Sequence, residues 1–201
     1  MADIVLTGDT SGAITVAAPA VAGTNTLTLP ASTGTLLTTT GDGSGLTNLP
    51  SAITSGTKVD TTSGTAVDFT SLPSTVKRIT VMFRGVSLNS TAKLLVQLGT
   101  SSGLVTTGYI STTNYGSTSG TSYTNGFGMY TGSTNVVSGH MTITHQGSNV
   151  FVSSHTCKYN TVNGMWGGGD VDLGGTLDRV RITSSTGTNT FDAGSVNIMY
   201  E

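Results

Sequence analysis

The sequence predicts an all-β protein in two parts: an N-terminal β-shaft of short strands, then an antiparallel β-sandwich of jelly-roll type. Three observations carry this. About a fifth of the 201 residues are Thr, which favours strands, and Gly supplies another 28. No window of a dozen residues holds apolar side chains at helical spacing, whereas alternation of period two recurs beyond Thr57. Hydrophobic residues make up 35% and charged residues only 9%. That is too little charge for a disordered chain, and it suits short strands, many turns and burial between subunits.

Residues 1–40 read as degenerate repeats. IVLT (4–7), AITV (13–16), TLTL (26–29) and TLLTT (35–39) are separated by GDTSG, AAPAVAGTN and PASTG. Each strand is too short and too poor in large side chains to build its own core. Association is the expected solution, with several chains burying small apolar groups along a common axis. Residues 41–56 open on GDGSGLTNLP, which has the glycine content of a phosphate loop. No strand–glycine–helix frame surrounds it, no Lys precedes Lys58, and Asp42 alone cannot make a calcium loop. The stretch reads as a Gly-rich joint, with Leu46, Leu49 and Pro50 as a small apolar plug.

Residues 57–201 read as a tip domain. RITVMFRGV (78–86) sets Ile79, Val81 and Phe83 on one face and Thr80, Met82 and Arg84 on the other. AKLLVQLG (92–99), GHMTITHQ (139–146), VFVSSHTCKY (150–159), DRVRIT (178–183) and GSVNIMYE (194–201) read similarly. QGSN after His145 reads as a compact hairpin loop, and Asn-Gly at 125–126 and 163–164 marks turns.

Charge and chemistry narrow the function. The net charge is −2, residues 1–56 hold no Lys or Arg, and no basic cluster exists to neutralise phosphates, which excludes nucleic acid. The N-terminus lacks the pattern of a secretory signal and no apolar run approaches a membrane span. A protein made in a cytoplasm, with no membrane insertion, is expected. Cys157 is the only cysteine, so it reads as a small buried hydrophobe. Glu201 is the only Glu, and Asp170 and Asp172 form either a pair on one strand face or a solvated loop edge. That is thin material for acid–base catalysis, so neither an enzyme nor a cofactor is expected.

Two groups remain as candidate sites. Closing the hairpin through QGSN sets His140 opposite His155 and His145 opposite Val150. His140 and His155 are then either a metal-ligating pair or a polar cross-strand pair on an exposed face. The segment 108–135 places Tyr109, Tyr115, Tyr123, Asn125 and Tyr130 among Ser, Gly and Thr, and Trp166 stands in glycine-rich NGMWGGGD (163–170). Rigid aromatics among small polar residues make up antibody-type contact surfaces and also suit sugars. The competing reading is long loops whose aromatics pack on the sandwich.

ITVAAPAVAGTNTLTLPASTGTLLTTTGDGSGLTNLP (14–50) resembles the shaft and joint segments of bacteriophage tail fibres and related virion fibres. FTSLPSTVKRITVMFRGVS (69–87), LLVQLGTSSGLVTTGY (94–109) and GTLDRVRITSSTGTNTFDAGSVNIMYE (175–201) are similar to the distal domain of many such fibres. The resemblance implies a homotrimer in the virion tail. It would be anchored to other tail or baseplate proteins through its N-terminus and would recognise host-cell-surface glycan or lipopolysaccharide. Tyr109, Tyr115, Tyr123, Asn125 and Trp166 are the expected receptor contacts. A head fibre or capsid decoration protein is the alternative.

Overall fold

The computed structural model describes residues 4–7, 13–16, 53–116, 120–131 and 135–201. The chain divides into two compact units between Thr47 and Asn48. In the first, β1 (Ile4–Thr7) and β2 (Ala13–Val16) pair antiparallel, with Ile4 opposite Val16 and Thr7 opposite Ala13. The strands expected at 26–29 and 35–39 and the joint sequence 41–50 lie outside the described residues.

The second unit is all-β, with no helix among the described residues. Its larger, nine-stranded sheet contains β3 (Thr54–Ser55), β4 (Val59–Asp60), β6 (Arg78–Leu88), β9 (Ile110–Tyr115), β10 (Thr121–Tyr123), β12 (Val137–Gly147), β13 (Val150–Lys158), β14 (Gly164–Asp172) and β16 (Phe191–Tyr200). The order is β10-β9-β14-β13-β12-β6-β16-β3, with β4 also on β16. The smaller sheet has five strands: β5 (Ala66–Phe69), β7 (Leu94–Thr100), β8 (Gly103–Leu104), β11 (Phe127–Met129) and β15 (Arg179–Ser184). It runs β11-β7-β15-β5, with β8 on β7. Every pairing between these strands is antiparallel. No helix among the described residues is long and apolar enough to cross a membrane.

One apolar cluster draws on both sheets, giving a sandwich-like arrangement. Ile79, Val81 and Phe83 of β6 and Met141 and Ile143 of β12 are buried with Leu94, Val96 and Leu98 of β7 and Val180 and Ile182 of β15. These are the positions that period-two alternation sends inward. Each buried aliphatic side chain stabilises the fold by roughly 1.5–3 kcal/mol before entropy is counted.

Two expectations are corrected. Segments 108–135 and 163–170 are not simply loops, because β9, β10, β11 and β14 lie within them. Their inward positions include Ser111, Thr113 and the glycines 167 and 169, so the hydrophobic alternation that betrays a strand is missing. The hairpin register also differs. Ser148 and Asn149 have φ of 48° and 67°, the left-handed pair of a type I′ turn, and a bulge falls between His145 and Gly147. His155 therefore faces Met141, and His140 faces Thr156. A one-residue slip reverses which side of the sheet a residue occupies, so the two histidines point to opposite faces and cannot share a metal.

Candidate functional site

The aromatic residues of the long segment separate into buried anchors and an exposed remainder. Tyr109, at 1% exposure, packs edge-on against Phe127 with ring centroids 5.1 Å apart. Its hydroxyl accepts a hydrogen bond from the Leu98 amide at 2.7 Å, and burial pushes the phenol up to about 12. Tyr123 is buried as well and its phenol is likewise raised to about 12 by burial. Its ring lies flat over Gly128 of the smaller sheet, where any Cβ would overlap it. Both rings are taken up largely in packing, and they reach the surface only where they underlie the trough described below.

Tyr115 stacks on Tyr130, with centroids 3.8 Å apart, and both meet Tyr159 edge-on. Lys93 places its ammonium 3.7 Å from the centre of the Tyr130 ring and donates to the Thr131 carbonyl at 3.0 Å. The hydrogen bond with Tyr115, followed by burial, raises the Tyr130 phenol to about 12. This cluster is half-buried and clamps the two ends of the segment. Asn125 is also committed: its carbonyl accepts from the Gln97 side chain at 2.7 Å and its side-chain amide donates to the Ser185 carbonyl at 3.4 Å.

His155 belongs to the interior, at 4% exposure, with Nε2 3.0 Å from the Thr113 hydroxyl. Gly167 opposite makes room for its ring, since a Cβ there would lie 2.6 Å from the imidazole. Burial lowers its pKa to about 4. Cys157 is buried on the same strand face, and burial raises its thiol to about 12. Among the described residues no group of three His, Cys, Asp or Glu gathers as a metal site.

Trp166 differs from the tyrosines. It stands on strand β14 rather than on a loop, and half of it is exposed. Its outward neighbours along the strand are Gly164 and Gly168, so no side chain of its own strand covers the indole. Asn114 and Thr156 flank it on β9 and β13. One step along, Gly168 lies between Thr112 and Ser154, and Asp170 lies between Ile110 and Val152.

This pattern leaves an open trough of about 370 Å³ over β10, β9 and β14, lined by Thr112, Ser122, Gly168, Asp170 and Ile110 among others. The hydroxyls of Thr112 and Ser122, glycine backbone and the buried rings of Tyr109 and Tyr123 line it, with an apolar side chain, Ile110, 72% exposed. The Asp170 carboxylate is exposed and, among the described residues, has no hydrogen-bond or ion-pair partner. Asp172, by contrast, accepts from the Gly174 amide at 2.8 Å. An exposed ring, free hydroxyls and one free carboxylate can stack on and hydrogen-bond a flat polyhydroxylated molecule.

Of the residues singled out in sequence, Trp166 and Asp170 lie on this face in the open, and Tyr109 and Tyr123 line the trough from its buried side. Asn114, Thr112 and Ser122 were missed. The spacing Gly164, Trp166, Gly168, Asp170, all at even positions and therefore on one side of a strand, marks the face of β14, but nothing along the chain marks its neighbours on β9 and β10. Comparison with family models, curated proteins and solved structures gives no match.

Proposed function

We propose that the chain is a virion fibre protein of the tail-fibre type, a homotrimer whose C-terminal jelly-roll-like domain attaches to host-surface glycan. Residues 1–40 would supply the trimeric shaft and the link to other virion proteins. The resemblance of segments 14–50, 69–87, 94–109 and 175–201 to such fibres supports the lineage. The observation that carries the binding role is the half-exposed Trp166, bare on both sides along its strand, beside the hydroxyl-lined trough ending at Asp170. The function is adhesion: rings of sugar stack on the indole, while Asn114, Thr112, Ser122 and Asp170 exchange hydrogen bonds with sugar hydroxyls.

The test is saturable binding of labelled full-length protein to host cells or to their isolated surface polysaccharide. Trp166→Ala should weaken binding about tenfold or more, since loss of a central aromatic anchor costs 1–3 kcal/mol. Tyr109→Phe should leave affinity unchanged, because it keeps the ring and removes only a buried hydroxyl that is bonded to the Leu98 amide. Full binding by the Trp166 variant would remove the site. Failure of the intact trimer to bind any host surface, together with labelling on capsids rather than tails, would favour the decoration protein.

A further inference from the structure

At the turn end of the β12–β13 hairpin lies a separate recess of about 220 Å³, enclosed by the β5–β6 loop, the hairpin and the β14–β15 connection. Phe151 forms part of its apolar floor, and its rim carries Lys77, His145, Asn149, Ser74 and Thr176. The Lys77 ammonium lies 3.3 Å from His145 Nδ1. An ammonium has only protons to give, so Nδ1 accepts and the neutral imidazole carries its own proton on Nε2.

The pair is held in place from three sides. The His145 amide donates to the Lys77 carbonyl at 2.8 Å, the imidazole packs against the Phe151 ring with centroids 5.0 Å apart, and the Leu173 amide donates to the Asn149 carbonyl at 3.1 Å. No acidic side chain lines the recess. Among the described residues Lys77 joins no ion pair, whereas Lys58, Arg78, Arg179 and Arg181 each have a carboxylate. The recess therefore gathers an unneutralised positive charge, an imidazole N–H, a carboxamide and two hydroxyls, with nothing negative to oppose an anion.

We infer that this recess binds a small oxyanion, a phosphate or carboxylate group, with Lys77 as its charge partner and His145 Nε2–H, Asn149, Ser74 and Thr176 as neutral donors. Such charge-assisted hydrogen bonds are about twice as strong as neutral ones. The group could be borne on a surface polysaccharide, as a sugar phosphate or sugar acid, or could be the free ion. The inference rests on no part of the adhesion reading, because the residues and the surface are different.

The experiment follows the His145 ring signals by NMR while full-length protein is titrated at constant ionic strength with inorganic phosphate, glucose 1-phosphate, glucuronate or chloride. A saturable shift at millimolar phosphate or carboxylate, absent with chloride, is expected. Lys77→Gln should weaken it about tenfold or more, with the unfolding midpoint unchanged because Lys77 is exposed, and Trp166→Ala should not affect it. Tighter binding of either sugar derivative than of phosphate would assign the site to an acidic glycan. Equal or tighter binding of phosphate would assign it to the free ion. Absence of saturation with all three anions, or an undiminished shift in a folded Lys77→Gln variant, would overturn the inference, and His145→Gln with full affinity would remove the imidazole from it.

Discussion

His155 and Tyr109 show how single positions convert polar groups into structural parts. His155 is neutral in the fold because burial lowers its pKa to about 4, against about 6.5 in an unfolded chain. The depressed folded value means that its contribution is fully present above pH 6.5 and is lost as pH falls towards 4, where the unfolded chain binds the extra proton. The loss is on the order of 3 kcal/mol. Urea midpoints should therefore fall across that window, and His155→Gln, although less stable at neutral pH, should show a flatter profile there. Equal slopes in the two proteins would mean that the imidazole does not titrate this way. Tyr109→Phe removes the acceptor of the Leu98 amide and leaves a buried donor unpaired, which costs about 1–3 kcal/mol. Equilibrium unfolding of the two proteins measures it.

Among the elements, the β12–β13 hairpin decides most. Its two-residue turn and bulge send His155 inward and His140 outward, and everything on the outer face of β13 and β14 follows from that register. Ser148 holds φ of 48° at some cost, since left-handed backbone suits Asn or Gly better. Ser148→Asn should stabilise the domain by about 0.5 kcal/mol, read as a higher urea midpoint at unchanged slope, whereas a fall would contradict the turn assignment. The strands β6, β7, β12, β15 and β16 were legible in the sequence because their inward side chains are mostly large and apolar, and β13 through its opening Val150, Phe151 and Val152, although Ser153, His155 and Cys157 follow inward. β14 was not, since three successive glycines carry no pattern and its pairing with β9 and β13 supplies what side chains do not. Trp166 was legible as a binding candidate from composition. Its neighbours were not, because Asn114 stands opposite it and Thr112 opposite Gly168 only across strands, and the tyrosines that shared its composition are largely taken up in packing.

At the scale of the whole molecule the trough is shallow, and a sugar must give up hydroxyl hydration to enter it, so a single site binds weakly. Firm attachment then requires several sites acting together, and linked sites gain 10²–10⁴ in avidity when geometry lets them engage at once. The proposed trimer supplies three, and light scattering on the full chain should give about 61 kDa, three times the 20.3 kDa chain. A sharper test mixes native chains with Trp166→Ala chains during expression and measures retention on a polysaccharide surface against the fraction of variant. Sites that act together lose retention more steeply than that fraction, because one or two defective chains remove the shared engagement. Strictly proportional loss would mean that each chain binds alone. That result would remove the trimer from the mechanism while leaving the Trp166 face as a monomeric site.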